Sequence, residues 1–245
     1  MLAPELVDEA LVPFFKKHLI TDIRQTIKSG KEATVFLCDA DPSVGVEYLV
    51  AKIYRPRENR TFKNDAIYHA GEYIGDKRTR KAIAHKSNHG RRFQFTDWIE
   101  REYQALQQLH AFKADVPKPY DRTETALLMQ FIGEGDEPAT PLNRVSLDRE
   151  EADALFACIL RNVELWLSLD RVHADLSAFN ILYQDGRITV IDFPQCVDAR
   201  DNPHAYELLQ RDLDNVCHYF ARYGVHAEAG RLAWSMWDRC GLDEP

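Results

Sequence analysis

The chain has 245 residues, 45% of them hydrophobic and 29% charged, a balance that predicts a compact protein of one domain or of two lobes rather than a disordered chain. Its formal net charge of -8 argues against nucleic acid as a partner of the whole surface. The five cysteines form no C-x-x-C pair, the first residues are acidic where a secretory signal would be basic, and no apolar run approaches a membrane span, so we expect a cytoplasmic protein with no membrane partner.

The first part of the chain is predicted to begin with a helix and to continue as strands. Apolar residues recur at roughly helical spacing near the start, which predicts a helical N-terminal extension over residues 1–20 that is interrupted by Pro13. The pattern then changes to one typical of strands with turns between them. The predicted strands are residues 23–27, 34–38 and 48–54.

Two features of these strands are compatible with a nucleotide site. The turn from Ser29 to Ala33 would offer backbone N–H groups and the Ser29 hydroxyl to phosphates, but it lacks G-x-G-x-x-G, and an ordinary hairpin turn is the simpler interpretation. Lys52 stands at the centre of an apolar strand, where an ammonium group is costly unless it is paired. We interpret Lys52 as a phosphate ligand that is paired with a carboxylate; an edge-strand lysine facing water is the alternative.

Residues 55–95 form a basic insertion with few apolar residues in any period. A connection of this length without a clear element is usually a functional or disordered loop. Its positive charge favours contact with phosphate, from RNA, a ribosomal particle or a substrate, and a solvated insertion explains it equally well. His85 and His89 are four residues apart without a third ligand nearby, so a metal site is not expected there.

A helix is predicted over residues 97–110. Asp97 is expected to cap it, because Glu100 follows at the spacing of a capping box. Glu102 lies beside the apolar face of this helix. We therefore expect Glu102 to be the partner of Lys52, with Glu100 as the alternative.

A buried strand is predicted at residues 126–132, and the glycine-rich stretch that follows is interpreted as a hinge near residues 130–135. Adenine would hydrogen-bond the backbone at this hinge. Met129 would line its pocket, or belong to the ordinary core. The pattern changes from strands to helices here, so we place a β-rich lobe at residues 21–133 and a mainly helical lobe at residues 134–245.

The second lobe is predicted to contain three helices and one hairpin. The hairpin spans residues 181–191, because two short apolar runs are joined by Asp185 and Gly186, a strong hairpin signal. The predicted helices are residues 147–170, 204–223 and 227–240.

Three polar residues surround this hairpin. Asn180 stands at its entry and Asp192 at its exit, so the two must lie side by side, and Asp175 is in the loop that leads to them. An amide oxygen and a carboxylate are hard ligands suited to Mg²⁺. A second carboxylate is then available to orient a nucleophile, as phosphoryl transfer requires. The alternative is that these residues are ordinary turn formers and a strand cap.

Over roughly residues 21–223 the chain resembles the RIO family of atypical kinases. The motifs that carry the resemblance are Ser29-Gly30-Lys31-Glu32-Ala33, Ala51-Lys52-Ile53-Tyr54, Met129-Gln130-Phe131-Ile132-Gly133, His173-Ala174-Asp175-Leu176-Ser177 with Asn180, and Ile191-Asp192-Phe193-Pro194-Gln195; Pro203-His204-Ala205 and Arg211-Asp212 add to it. The resemblance implies an α+β, bilobal protein-kinase-like fold that binds ATP and Mg²⁺, with Mn²⁺ as an alternative metal. It also implies autophosphorylation and, in archaea and eukaryotes, maturation of the small ribosomal subunit.

The resemblance also implies a role for each motif residue. Asp175 would be the catalytic aspartate, with Asn180 and Asp192 as metal ligands, and Asp192 is also a conceivable phosphate acceptor in an ATPase cycle. The residues that would bind the nucleotide are Ser29, Lys31, Lys52, Glu102, Met129, Gln130 and Ile132.

Some features of the kinase pattern are missing. Pro194 replaces the glycine that usually follows D-F, and no A-P-E comes after it, so phosphorylation of an extended peptide in trans is in doubt. No N-terminal winged helix is expected, which favours the family branch without one, and a bacterial member need not share the ribosomal role.

Three functions remain open from the sequence. The first is an ATP-dependent serine/threonine kinase or ATPase whose protein substrate the sequence does not identify, with the chain itself as one candidate. The second is a small-molecule kinase of the aminoglycoside-phosphotransferase type, which uses a similar H-x-D-x-x-x-x-N loop. The third is a nucleotide-gated factor that binds ribosomal particles and in which catalysis only resets the conformation.

Overall fold

A computed structural model describes residues 4–55, 65–68, 70 and 88–243, which fall into two compact units. The first unit comprises residues 4–55, 88–107 and 117–138, and the second comprises residues 65–68, 70, 108–116 and 139–243. The helices are α1 (Pro4–Lys16), α2 (Asp65–Tyr68), α3 (Asn88–Ala111), α4 (Arg149–Ser168), α5 (Ala205–Ala221) and α6 (Ala229–Arg239). The strands are β1 (Ile20–Ser29), β2 (Ala33–Ala40), β3 (Tyr48–Tyr54), β4 (Pro119–Arg122), β5 (Ala126–Gln130), β6 (Gly133–Glu134), β7 (Glu137–Pro138), β8 (Thr140–Pro141), β9 (Arg171–Val172), β10 (Ile181–Gln184), β11 (Arg187–Val190) and β12 (Val197–Asp198).

The first unit is built on an antiparallel five-stranded sheet with the order β1-β2-β3-β5-β4. The three predicted N-terminal strands are present. The first two are longer than predicted, and the third has the predicted bounds. The N-terminal helix is also confirmed, and it continues through Pro13 to Lys16.

One face of this sheet carries the hydrophobic core that includes α1. Successive side chains of a strand point to opposite faces, so every second residue of β3 lies on the α1 side. The buried cluster on that side includes Leu11 and Phe14 of α1, Leu49, Ala51 and Ile53 of β3, and Ala126 and Leu128 of β5. The other residues of β3, among them Lys52 and Tyr54, face the opposite side, where the Tyr54 ring lies 6.4 Å from that of Trp98 in α3.

The start of α3 corrects the sequence prediction. The helix begins at Asn88, so Asp97 lies inside it and is not its N-cap. Glu100 instead accepts hydrogen bonds from Arg122 and from Gln104. The early turns were missed because they lack an apolar stripe, although arginine and glutamine have high helix propensity.

The basic insertion was predicted to span residues 55–95 without clear structure, and this is wrong at two places. Residues 88–95 belong to α3, and residues 65–68 form the short helix α2. Residues 56–64, 69 and 71–87 lie outside the described residues, and so do His85 and the contact with RNA or phosphate expected there.

The second unit is mainly helical, and all three of its predicted helices are present. Helix α4 begins with a capping box in which Asp148 accepts a hydrogen bond from the N–H of Glu151 and the Glu151 side chain accepts one in return. The apolar positions predicted to face the core of α4 are buried: Leu155, Ile159, Val163, Trp166 and Leu167. Within the described part of the chain, no helix combines the length and the apolarity that a bilayer crossing needs.

The predicted hairpin is also confirmed. Strands β10 and β11 pair antiparallel, with Ile181 opposite Val190, and β8 adds a third strand. Asp185 and Gly186 at the turn have φ angles of 48° and 76°. Both values are positive, as a type I′ turn requires, which explains why this pair of residues predicts the hairpin so well.

Candidate active site

Lys52 and Glu102 form a buried ion pair in the first unit. The Lys52 Nζ atom lies 2.7 Å from Glu102 Oε1 and 3.1 Å from Glu102 Oε2. Lys52 is 8% exposed and Glu102 is 1% exposed. Charges that have left water this completely need a close partner. The pairing is the one expected from the sequence, and it joins the central strand β3 to helix α3.

Met129 shares a face of the sheet with Lys52. Leu127 lies opposite Lys52 in the antiparallel register, and Met129 lies opposite Val50. Residues that are directly opposite in such a ladder point to the same side. The buried Met129 side chain is therefore positioned to contact an apolar base near the lysine, and its contact with adenine stays a prediction.

The other two residues expected at the adenine site have different surroundings. Gln130 is exposed; its backbone N–H donates to the Lys118 carbonyl at 2.8 Å, and its Oε1 accepts from the Lys118 N–H at 3.2 Å. Ile132 is half-buried just beyond the end of β5. Their roles in binding adenine stay predictions.

The turn between β1 and β2 is closed by its own backbone, since the Gly30 N–H donates to the Ala33 carbonyl at 2.9 Å. The Ser29 hydroxyl accepts a hydrogen bond of 2.8 Å from Arg55 Nη2. Lys31 is exposed. The phosphate contacts expected of Ser29 and Lys31 also stay predictions. To donate to a phosphate, the Ser29 hydroxyl would have to do so while it accepts the hydrogen bond from Arg55.

In the second unit the hairpin brings the three predicted catalytic and metal-binding residues together. The Ile191 N–H donates to the Asn180 carbonyl at 2.9 Å, so the backbones before Asp192 and at Asn180 are adjacent. Asn180 Nδ2 donates to the Asp175 carbonyl at 2.9 Å and lies 3.4 Å from Asp175 Oδ2. The carboxylate-bearing Asp175 is exposed, so a substrate can reach it.

His173 ties the loop of residues 173–180, called the catalytic loop below after the role predicted for Asp175, to the segment around Asp192. Its Nδ1 accepts from the Asp175 N–H at 3.2 Å, which leaves the proton on Nε2, and Nε2 then donates to the Ile191 carbonyl at 3.2 Å. The imidazole ring also packs 4.4 Å from the Phe193 ring, measured between centroids. The neutral histidine thus fixes the loop from both nitrogen atoms.

Asp212 of α5 holds the same loop through its backbone. Its Oδ2 accepts from the Ala174 N–H at 2.7 Å, and its Oδ1 accepts from the Leu176 N–H at 2.8 Å. Two neighbours on α5 add to this clamp: Arg211 donates to the Ala174 carbonyl, and Asn215 donates to the Leu176 carbonyl at 3.1 Å. The backbone N–H and carbonyl groups of both Ala174 and Leu176 are therefore fixed by side chains of one helix, α5.

The clamp maintains an unfavourable backbone conformation. Ala174 has a φ angle of 65°, and Asp192 has a φ angle of 74°. A non-glycine residue in this left-handed region costs of order 1 kcal/mol or more and persists only where the surroundings hold it. Two such residues on either side of the hairpin are the kind of strain that accompanies active sites.

Burial raises the pKa of the Asp212 carboxyl to about 7, even though the N–H groups of Leu176 and Ala174 and the charge of Arg211 act to lower it. Asp212 belongs to the Arg211-Asp212 pair that adds to the family resemblance, but its contact with the loop was not predicted. One signal was present, since Asp212 lies three residues after Leu209 and four before Val216, on the face of α5 that is buried. A carboxylate in that stripe needs hydrogen-bond donors.

The short helix α2 also contacts this region. Asn202 Nδ2 donates to the Ile67 carbonyl at 2.8 Å. Arg211 Nη2, which serves the Ala174 carbonyl, lies 3.3 Å from the Tyr68 hydroxyl. Part of the basic insertion is therefore linked to the residues that hold the catalytic loop.

The donor set fits a magnesium ion. The Nδ2 atom of Asn180 is engaged with Asp175, so Oδ1 is the Asn180 atom that can act as a ligand. The backbone before Asp192 adjoins that of Asn180, and the metal contact of both side chains stays a prediction. The described residues contain no group of three or more His, Cys, Asp or Glu side chains that could hold a metal. One amide and one carboxylate are sufficient for Mg²⁺ when phosphate oxygens and waters complete the coordination.

A known protein family matches most of this chain. The model of the RIO domain matches residues 34–231. The chain belongs to the RIO family. The matched region contains Lys52, Glu102 and the whole catalytic loop, whereas Ser29 and Lys31 precede it.

Several curated proteins are similar to this RIO chain. It is 33% identical to the serine/threonine-protein kinase RIO1 of Caenorhabditis elegans, over 88% of the chain and 40% of that protein. It is 34% identical to human RIO1 over 88% of the chain and 36% of that protein. It is 33% identical to Rio1 of Methanocaldococcus jannaschii over 85% of the chain and 66% of that protein. The chain thus spans less than two thirds of the length of these relatives.

The fold is shared with solved RIO structures. The Rio2 kinase of Chaetomium thermophilum, solved as an ADP/Mg²⁺-phosphoaspartate complex, matches all of the chain and 73% of its own length with a TM-score of 0.69 and 18% identity. A second Rio2 structure from that organism gives a TM-score of 0.65. The predicted α+β kinase-like fold, with a sheet-based first part and a helical second part, is confirmed.

Removing one charge of the Lys52–Glu102 pair is expected to destabilise the first unit, because the other charge then stays buried without this partner. The change Glu102→Gln takes away the anion 2.7 Å from the buried ammonium and should lower the free energy of unfolding by about 3 kcal/mol. The double variant Lys52→Met/Glu102→Leu removes both charges and should recover most of this loss. Urea unfolding measures both effects, and a single variant as stable as the wild type would contradict the pairing.

The change Asp212→Asn is expected to loosen the catalytic loop. An amide can accept only one of the two N–H groups and turns a donor toward the other, which should cost about 2 kcal/mol. Faster hydrogen exchange at Ala174 and Leu176, together with urea unfolding, would show this. The matched control is Asp214→Asn, two residues along the same helix at an exposed position. Equal exchange in both variants would contradict the clamp.

The raised pKa of Asp212 gives a pH dependence with a definite sign. Between its ordinary value of 3.8 and about 7, the folded protein keeps a proton that the unfolded chain releases. Stability must then fall as pH rises through this interval. The wild type should lose stability relative to Asp212→Asn between pH 4 and pH 7, and a difference that stays constant over this range would show that Asp212 does not titrate there.

Proposed function

We propose that this RIO chain is an ATP- and Mg²⁺-dependent serine/threonine protein kinase. The observation that carries the proposal is the cluster of Asp175, Asn180 and Asp192, gathered by one hairpin and held on a strained backbone. The curated relatives are named serine/threonine kinases, and a similar structure was solved with ADP and Mg²⁺. Membership of the RIO family favours this function over a small-molecule phosphotransferase.

In the proposed reaction Asp175 accepts the proton of a serine or threonine hydroxyl. The hydroxyl oxygen forms a bond to the γ-phosphorus of ATP while the bond from that phosphorus to the β–γ bridging oxygen breaks, and ADP leaves. Asp175 suits this role because its carboxylate is exposed while its backbone is fixed by His173. The transition state is loose, so positioning matters more than covalent help.

The remaining site residues would bind the nucleotide. Asn180 and Asp192 would hold Mg²⁺, or Mn²⁺ in its place, through oxygen atoms. The ion supplies positive charge that offsets the phosphates. Lys52, kept in place by Glu102, would contact a phosphate, and Met129 would contact adenine from the same face of the sheet.

A second candidate is a nucleotide-gated switch in which ATP hydrolysis, through phosphate transfer to Asp192, resets a binding state. The feature that favours it is the short segment after Asp192. Residues 193–204 contain only the strand β12 and lead directly into α5, so they provide no extended segment for docking a peptide. The chain itself and a ribosomal particle, reached through residues 55–95, would then be the partners.

The kinase proposal makes a direct prediction for the carboxylates. Asp175→Ala and Asp192→Asn should each lower turnover of γ-³²P-labelled ATP by about 10²-fold, or roughly 3 kcal/mol, because each removes a preorganised group. Free phosphate and protein-bound label are both followed. The control is Asp185→Asn in the exposed hairpin turn, where asparagine tolerates the positive φ.

The outcomes separate the candidates. A folded Asp175→Ala or Asp192→Asn protein with wild-type turnover would rule out the proposed site. Label that resists acid and hydroxylamine indicates phosphoserine or phosphothreonine and supports the kinase. Label that hydroxylamine removes, and that Asp192→Asn abolishes, indicates an acyl phosphate and supports the switch.

A further inference from the structure

A large apolar side chain stands exposed inside the catalytic loop. Phe179 lies between Asp175 and Asn180 and is 64% exposed, more than any other large apolar side chain in the described part of the chain. Burying a phenylalanine is worth about 1.5–3 kcal/mol. The exposed Phe179 ring does not gain this free energy within the chain. It would gain it if a bound partner covered the ring.

The loop holds this ring outward. The Ala178 carbonyl accepts from the Asn143 N–H at 3.0 Å, and the Asn180 N–H donates to the Ser177 carbonyl at 2.9 Å. The backbone is therefore fixed on both sides of Phe179. Leu176 and Ala178 already occupy the buried side of the loop. Turning the phenyl ring inward would require these contacts to be broken.

The segment that follows Asp192 is held by its own hydrogen bonds. The Cys196 N–H donates to the Phe193 carbonyl at 3.0 Å, and β12 pairs with β9 immediately afterwards. The Asn202 side chain then caps the turn before α5 by accepting from the His204 N–H at 2.8 Å. The apolar contact closest in sequence to Asp175 that a substrate can reach is therefore Phe179.

We propose that Phe179 determines acceptor specificity by packing against an apolar side chain next to the serine or threonine that receives the phosphate. The inference rests on the protein-kinase function proposed above. An aromatic ring gains contact area from aliphatic and aromatic side chains of a polypeptide. A polycationic small molecule such as an aminoglycoside would gain more from carboxylates at this position. The occupant is thus a segment of a protein acceptor with an apolar residue beside its hydroxyl.

The test uses synthetic peptides with one central serine flanked by alanine. In one set each flanking position in turn is leucine, and in the other it is lysine. Both sets use the same nucleotide site, so any general loss of activity cancels in the ratio of their kcat/KM values. The wild type should prefer the best leucine peptide over its lysine counterpart about tenfold, and Phe179→Ala should bring the ratio close to one.

Two further variants test whether the preference depends on the apolar character of the side chain at position 179. Phe179→Leu keeps an apolar contact and should retain the preference, whereas Phe179→Lys should shift it toward peptides with aspartate at the same position. The matched control is Phe112→Ala, which removes another exposed ring, 58% accessible, outside the loop. This control should leave the leucine-to-lysine ratio at the wild-type value.

The results that would overturn the proposal are distinct from those that test the kinase function. An unchanged ratio in Phe179→Ala, or an equal fall for both sets of peptides, would contradict a role in specificity. A wild type that turns over ATP without labelling any peptide would also overturn it. A wild type that neither turns over ATP nor labels protein would remove the kinase proposal itself.

Discussion

The buried carboxylate of Asp212 is the constraint on which the active-site loop depends. It accepts hydrogen bonds from the N–H groups of Ala174 and Leu176, and these bonds keep Ala174 in the left-handed region. That conformation turns the chain so that Leu176 enters the core while Asp175 stays exposed. The buried carboxylate thus sets the conformation of the backbone that donates to it. The same burial raises the pKa of Asp212 to about 7.

In the described part of each unit, buried charged side chains have definite partners. In the first unit Glu102 holds Lys52 on the central strand, and the core on the other face of that strand fixes its position. In the second unit Asp212 is satisfied by backbone N–H groups. Such groups are costly to bury and contribute little net stability, so their presence is better explained by the geometry that they enforce.

Much of the fold and the site follows from local sequence signals. Asp185 and Gly186 predict the hairpin because few other residue pairs accept two positive φ angles in a row. Once the hairpin is known, the adjacency of Asn180 and Asp192 is a geometric consequence. The pairing of Lys52 with Glu102 follows from a charge in an apolar strand and a carboxylate beside an apolar helix face.

The features that were missed depend on contacts that are distant in sequence or on the absence of a pattern. Asp212 is 38 residues from Ala174, and nothing near the loop indicates which helix supplies its acceptor. The first turns of α3 carry no apolar stripe, so periodicity could not place the helix start at Asn88. Phe179 looks like a core residue by type, and only the folded loop shows that it faces solvent.

Under the proposed function, Asn180 and Asp192 hold a divalent metal together with nucleotide phosphates. Paramagnetic relaxation tests it most directly, with Mn²⁺ and ADP added to ¹⁵N-labelled protein. We expect the amide signals of Asp175, Asn180 and Asp192 to broaden most strongly, excess Mg²⁺ to reverse the effect, and Asp192→Asn to abolish it. Broadening centred on other residues, or unchanged by that substitution, would show that the metal does not bind at Asn180 and Asp192.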